Sequence, residues 1–216
     1  SPLSSRRFRA FAARPPPVAV PPMRSAALIA VDWGTTHARA YRLDDAGSVL
    51  GVRAGPLGIN KLGDLAYPDA LARLLGDWVD VPVPRIACGM VGSRQGWREA
   101  PYVDCPASLA ALSRGLVETR PGGIAIVPGL ATRDAAGVPD VMRGEETQIL
   151  GAVPADSPRT LVVLPGTHSK WASVERGVVR DFTTCMTGEL HEALVRHTIL
   201  GRRADGAPGA DAAAAF

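Results

Sequence analysis

The residues best placed to do chemistry fall in two short stretches, Ile29-Ala-Val-Asp-Trp-Gly-Thr-Thr-His-Ala-Arg39 and Leu161-Val-Val-Leu-Pro-Gly-Thr-His-Ser-Lys-Trp171. Each is an apolar, β-branched run that breaks into a small, hydroxyl-rich turn containing glycine, then resumes as a second apolar segment. A strand, a tight glycine turn and a return strand gather backbone N–H groups and hydroxyls at the turn. Such a concave set of donors suits the oxygens of a phosphate. One turn of this kind is ordinary hairpin chemistry. Two of them, the first opened by the carboxylate of Asp32, point to a cleft that holds a polyphosphate from both sides. Gly34, Thr35 and Thr36 form the first donor set, and Gly166, Thr167, His168 and Ser169 the second.

The elements that must hold these turns can be read from hydrophobic periodicity. Residues 28–32 and 38–43 read as a hairpin, and Gly47-Ser48 turns the chain into a third strand over 49–54. Over 67–79, Leu71, Leu74, Leu75 and Trp78 recur at the i, i+3, i+4, i+7 spacing of an amphipathic helix. Residues 85–91 predict a short buried strand running into a polar loop over 92–97, and 109–116 a helix. A strand over 123–128 and a helix over 145–151 follow. Strands at 160–164 and 171–174 flank the second turn, 177–181 adds another, and a helix over 187–200 stops at Gly201. This order predicts a mixed α/β domain over 27–158. The second hairpin predicts a further domain over 159–216 that repeats the first and is cut short.

Composition narrows the function classes. The 216 residues are 46% hydrophobic, enough to build a real core. No apolar run approaches the length of about 18 residues that crosses a bilayer, so a cytoplasmic protein without membrane contact is expected. The net charge of +3 is misleading, because residues 1–26 hold five arginines and no acid. Without them, 19 basic residues face 21 acidic ones, which is no footprint for nucleic acid. Cys88, Cys105 and Cys185 are odd in number and far apart, so neither a disulfide framework nor a zinc site is indicated. The Arg-, Pro- and Ala-rich stretch 1–26 reads as a disordered or mis-started tail, with Met23 as a natural start.

Five motifs then converge. Asp32-Trp-Gly-Thr-Thr36 and Pro165-Gly-Thr-His-Ser-Lys-Trp171 resemble the two phosphate motifs of the actin/hexokinase/Hsp70 superfamily, implying ribonuclease-H-like (actin-like ATPase) domains. Gly89-Met-Val-Gly-Ser-Arg-Gln-Gly-Trp97 with Ala100-Pro-Tyr102, Val141-Met-Arg-Gly-Glu-Glu-Thr-Gln148, and Met186-Thr-Gly-Glu-Leu-His191 are more specific. Together they resemble the 2-dehydro-3-deoxygalactonokinase family, ATP-dependent sugar-acid kinases of galactonate breakdown. The resemblance covers residues 28 to 200 with the motifs in family order. Members run on well past the length of this chain, so the chain is expected to be truncated within its second domain.

The resemblance implies ATP and Mg²⁺ as cofactors, a small sugar acid as partner, and a homodimer as a candidate assembly. Asp32 would face Mg²⁺ through water, or else simply cap its own turn. Arg39 is a candidate for the transferred phosphoryl group or a plain strand-surface arginine. His168 and Lys170 could be catalytic or merely a turn histidine and an exposed lysine. The sugar hydroxyl needs a carboxylate to orient it and accept its proton. Glu145 and Glu146 open a helix, where acids are stabilised in any case. Exopolyphosphatases of the superfamily carry a comparable Gly-Glu-Glu run with a catalytic glutamate, and adjacent helix residues point about 100° apart, so only one of the pair should face substrate. Glu189 is a weaker candidate. For the substrate carboxylate the loop offers Arg94 and Ser93, with Trp97 and Tyr102 as walls and Asn60 as a hydroxyl ligand.

The implied reaction is transfer of the γ-phosphate of ATP to the 6-hydroxyl of 2-dehydro-3-deoxy-D-galactonate. A phosphoanhydride hydrolase using Glu145 or Glu146 to orient water is one alternative, and a non-catalytic truncated fragment is the other.

Overall fold

A computed structural model describes residues 25–200. Of the expected N-terminal tail, residues 1–24 lie outside the described residues, as do the stop at Gly201 and the rest of 201–216. The chain opens with β1 (Leu28–Trp33), β2 (Ala38–Leu43) and β3 (Val49–Gly55), followed by α1 (Tyr67–Leu75) and β4 (Arg85–Cys88). Next come β5 (Tyr102–Asp104), β6 (Ala107–Ser108), α2 (Leu109–Arg114), β7 (Val117–Glu118) and β8 (Ala125–Ile126). The remainder is β9 (Gly129–Arg133), β10 (Pro139–Met142), α3 (Glu145–Ala152), β11 (Thr160–Leu164), β12 (Ser169–Glu175), β13 (Val178–Cys185) and α4 (Thr187–His197).

The first sheet has the order β3-β2-β1-β4-β8-β7. Strands β1 to β3 form an antiparallel meander, and β4 and β8 run parallel to β1. Because side chains alternate along a strand, Ile29, Val31 and Trp33 all point into one core while Ala30 and Asp32 face the opposite, half-open side. Helix α1 covers the core face with Ala70, Leu71, Leu74 and Leu75. It is shorter than its periodicity predicts. Gly76 adopts φ +54° where Arg53 approaches, and the chain tightens into a 3-10 turn over Gly76–Asp80 that still buries Trp78. The strand predicted over 85–91 likewise ends early, at Cys88, because Gly89 turns the backbone to φ +90°.

A second hydrophobic cluster lies beneath the sheet ordered β11-β12-β13-β6. Ala172, Val174, Val179 and Phe182 from that sheet pack with Leu130, Met142 and Ile149, which arrive from β9, β10 and α3. The hairpin β9–β10 is absent from the sequence-based prediction. It turns at Asp134, whose Oδ1 accepts the N–H of Ala136 and of Val138, each at 2.9 Å. The Gly137 N–H closes the same turn on the Asp134 carbonyl at 2.9 Å, with Gly137 at φ +80°. Only Ala125–Ile126 of the strand predicted over 123–128 joins the first sheet, and from Gly129 the chain pairs with β5 and β10 instead. No helix among the described residues is long and apolar enough to cross a membrane.

Candidate active site

Both predicted phosphate turns are built by the same device. In the first, the Gly34 N–H closes the turn on the His37 carbonyl at 3.0 Å. The carbonyls of Gly34, Thr35 and Thr36 are then taken from behind by the N–H groups of Ile59, Asn60 and Gly58, at 3.0, 2.9 and 3.2 Å. With its carbonyls tied back, the turn leaves Thr35 and Thr36 exposed on the outside. The bracing segment must come so near that a Cβ on Gly58 would lie 2.3 Å from the Thr36 backbone. Asn60 therefore touches the turn through its main chain, and its residue is exposed beside it.

In the second turn the N–H groups of Gly188 and Glu189 take the carbonyls of Gly166 and Thr167 at 3.2 and 3.1 Å. These donors are the first N–H groups of α4, so the turn also caps that helix. A Cβ on Gly188 would meet the Gly166 oxygen at 2.6 Å. The Ser169 hydroxyl, buried, receives the Gly166 N–H at 3.3 Å and meets the Thr187 hydroxyl. Thr167 and His168 stay exposed, with the His168 Nε2 against the Glu189 carboxylate. Lys170 is neither exposed nor turned to the site. Its Nζ donates to the Val141 carbonyl and the Thr184 hydroxyl, both at 2.7 Å, and lies 4.0 Å from Asp140. That polar knot fastens β12 to β10, the strand leading into α3.

Asp32, the last residue but one of β1, lies opposite Arg39 on β2 and beside Cys88 on β4. Burial raises its carboxyl above the ordinary aspartate range, and the Arg39 charge only partly counters this. Two glycines bring α3 to the same place. Gly89 and Gly144 have φ +90° and +107°, and a Cβ on Gly144 would sit 3.3 Å from the Gly89 Cα. A Cβ on Gly89 would in turn fall 2.8 Å from the Trp33 carbonyl and 3.6 Å from Asp32 Oδ1. This contact sets the N-terminus of α3 against the ends of β1 and β4.

The adjacent acids then part company. Glu146 is wholly buried, its oxygens accepting the Gly144 N–H at 2.6 Å and the Thr147 hydroxyl at 3.1 Å, and burial pushes its carboxyl up to about 7. Glu145 is half-buried and accepts the Arg143 N–H at 3.0 Å. Burial, with the charges of Asp32 and Glu146, pushes the Cys88 thiol up to about 12, so it is an inert neighbour and not a nucleophile. On the half-open sheet face lies an open cavity of about 400 Å³, lined among others by Asp32, Arg39, Tyr41, Cys88, Thr147 and Gln148. Thr147 and Gln148 were legible only as part of the Glu-Glu-Thr-Gln run; their type alone assigns no chemistry. Among the described residues no group of three or more His, Cys, Asp or Glu forms a metal cage. A single desolvated carboxylate such as Asp32 does suit Mg²⁺, which is held by one or two carboxylates and substrate phosphates.

The loop over 92–97 is compact. Trp97 stacks on Tyr67 at 5.8 Å and 10°, both rings meet Trp33 edge-on, and the Tyr67 hydroxyl donates to the Gln95 carbonyl at 3.1 Å. Trp97 is thus a member of an aromatic cluster beneath the loop. Arg94 points outward, 89% exposed and 3.8 Å from Glu99. Tyr102 is 44% exposed and carries the Arg143 guanidinium 4.3 Å above its ring. The structure therefore does not bring Arg94, Trp97 and Tyr102 together around one ligand. It places Arg143 against Tyr102 instead.

The 2-keto-3-deoxy-galactonokinase family matches residues 32–216. A protein of Rhizobium meliloti (strain 1021) described as 2-dehydro-3-deoxygalactonokinase DgoK1 is 43% identical over 176 residues, covering 79% of this chain and 57% of the relative. The 2-dehydro-3-deoxygalactonokinase of Escherichia coli (strain K12) is 39% identical over 177 residues, covering 82% and 59%. A crystal structure described as a 2-dehydro-3-deoxygalactonokinase protein from Sinorhizobium meliloti superposes with a TM-score of 0.75 at 41% identity, covering 83% of this chain and 61% of that one. The chain thus spans less than two thirds of the length of these relatives. From Asp32 onward, by family match and by fold, it belongs to the 2-keto-3-deoxy-galactonokinase family.

Proposed function

We propose that this chain carries the site of an ATP-dependent kinase that transfers the γ-phosphate of MgATP to the 6-hydroxyl of 2-dehydro-3-deoxy-D-galactonate. The relatives' names supply the substrate. The observation that carries the chemistry is the meeting of Asp32 with the N-terminus of α3 through the Gly89–Gly144 contact, next to a turn whose carbonyls are tied away from solvent.

Phosphoryl transfer asks little covalent work of a protein and much positioning and charge stabilisation. The first turn, through Thr35 and Thr36, and the second, through Thr167 and His168, receive phosphate oxygens. Asp32 would hold Mg²⁺ through its water shell, where the ion would supply charge neutralisation to the phosphates. Glu145 is the member of the acidic pair with solvent contact, so it orients the sugar hydroxyl and accepts its proton. The new bond joins the sugar oxygen to the γ-phosphorus, the bond to the β-phosphate oxygen breaks, and ADP leaves. Glu146 has no exposed surface and acts through the backbone, holding the first turn of α3 in place. Lys170 fastens the second turn to β10 and so to the same helix.

The test is coupled ADP release with MgATP, with and without the sugar acid. Sugar-dependent turnover, lost in Asp32→Ala and in Glu145→Gln, supports the kinase. ADP release indifferent to sugar would redirect the reading to phosphoanhydride hydrolysis. A cooperatively folded chain with neither activity would be a non-catalytic fragment.

A further inference from the structure

We infer that Arg143, with Ser93, is the recognition site for the carboxylate of the sugar acid. This rests on the kinase reading above and assigns the anion-binding role to a residue that sequence reasoning passed over in favour of Arg94.

The argument begins with unmet hydrogen bonds. Buried donors are nearly always paired, and each exception asks for a reason. The Arg143 guanidinium donates from Nη2 to the Ala100 carbonyl at 2.8 Å, while its Nε and Nη1 are buried with no partner. Arg42 and Arg85 each leave only Nε in that condition. The Ser93 hydroxyl is also buried and unpartnered. The guanidinium reaches the start of the Ser93 loop, since a Cβ on Gly92, the residue before Ser93, would lie 2.9 Å from Arg143 Nη1. No carboxylate among the described residues forms an ion pair with Arg143; Glu145 takes its backbone N–H instead. Although the residue as a whole is half-buried, these two donors of a permanent cation lack an acceptor that an anion would supply.

The surroundings match a carboxylate next to a ketone. The guanidinium carbon of Arg143 lies 4.3 Å from the centre of the Tyr102 ring, a cation–π contact that helps to position it. Arg143 sits two residues before Glu145, which puts the carboxylate-binding group beside the proton acceptor for the hydroxyl at the other end of a short sugar acid. The unmet donors lie at the base of the loop over 93–97. Arg94, on the outer side of that loop, cannot serve the same purpose.

The test is binding and turnover by the chain with the sugar acid and with its carboxamide, which keeps the shape and loses the charge. Unsubstituted protein should prefer the acid by a hundredfold or more in Kd, read by calorimetry or thermal shift. Arg143→Ala and Arg143→Lys should lose at least tenfold of that preference, with Lys retaining part of it, while Arg94→Ala behaves as unsubstituted protein. A structural role alone would weaken acid and amide equally, and that result overturns the proposal, as does loss of preference in Arg94→Ala. Failure of the unsubstituted chain to bind either compound overturns the kinase reading and this inference with it. The amide comparison separates the two failures.

Discussion

The two phosphate turns share their local chemistry and differ in what stands behind them. Each follows an apolar strand, and each has its carbonyls taken by an approaching N–H segment that needs glycine at the contact. Behind the first turn lies a filled core. Trp33 is fully buried, donates from Nε1 to the Leu57 carbonyl at 2.7 Å and meets Tyr67 and Trp97. Behind the second turn stands α4, which has no buried residue and displays Leu190, Leu194 and Val195 to solvent. Asp32 opens the first turn, and no acid occupies the matching place before the second. Among the described residues, then, the same backbone hydrogen-bonding pattern is backed by a packed core in one turn and by an uncovered helix in the other.

Four experiments bear on that contrast, from the largest expected effect downward. Asp32→Ala should cut sugar-dependent ADP release by about a thousandfold, a loss typical of removing a group that stabilises transition-state charge. Melting temperature should hold or rise, because a desolvated carboxylate is removed. A loss of activity under tenfold would show that the first turn does not carry the metal-facing acid.

Replacing the bracing glycines sets the two turns directly against each other. Gly58→Ala drives a Cβ into backbone packed on a core and should destabilise by about 3 kcal/mol or more. Gly188→Ala meets the Gly166 carbonyl and the Thr167 Cα, at 2.6 and 2.9 Å, at the start of a helix with no buried residue, so a smaller loss of about 1 kcal/mol is expected. Chemical denaturation measures both, and equal losses would erase the contrast.

Glu146→Gln probes the support behind α3. Burial raises this carboxyl from 4.5 to about 7, so the folded chain holds the proton that the unfolded chain releases. Stability is then unpenalised below pH 4.5, falls as pH rises to about 7, and stays low above it. A shift of this size corresponds to about 3 kcal/mol. The glutamine variant should lose the slope and be more stable at pH 8. An unchanged slope would mean that another group sets it.

Ser169→Ala should have the smallest effect. It removes the hydroxyl that receives the Gly166 N–H and meets Thr187, for a loss of about 1 kcal/mol and a rise of a few fold in KM for ATP. A change confined to kcat would mean that the second turn does more than hold phosphate.

Much of the first sheet was legible in advance. The alternation of Ile29, Val31 and Trp33, the glycine turn at 34–36 and the helical stripe of Leu71, Leu74 and Leu75 all reflect contacts close in sequence. The ends of elements were less so. Helix α1 stops at Leu75 because Arg53, far away in the chain, reaches the backbone there, and β4 stops at Cys88 because Gly89 must clear Trp33 and Asp32. The hairpin β9–β10 was hidden because β10 is short and puts the Asp140 carboxylate into a polar knot while Val141 is exposed, so its pattern does not alternate as apolar-in, polar-out.

Residue type and local spacing determined the two glycine turns, the strands around them, the acid at the head of the first and the acidic pair opening α3. Those features depend on backbone geometry and on neighbours a few residues away, which a sequence displays. Which glutamate is buried, that Lys170 ties β12 to β10, that Arg94 faces outward and that Arg143 lies on Tyr102 with donors unmet were decided only by the tertiary fold. Burial and pairing are set by groups brought together from distant positions: Ala100 with Arg143, Gly89 with Gly144, Thr184 with Asp140. A charge or a carboxyl acquires its role from what surrounds it, and those surroundings exist only once the chain has folded.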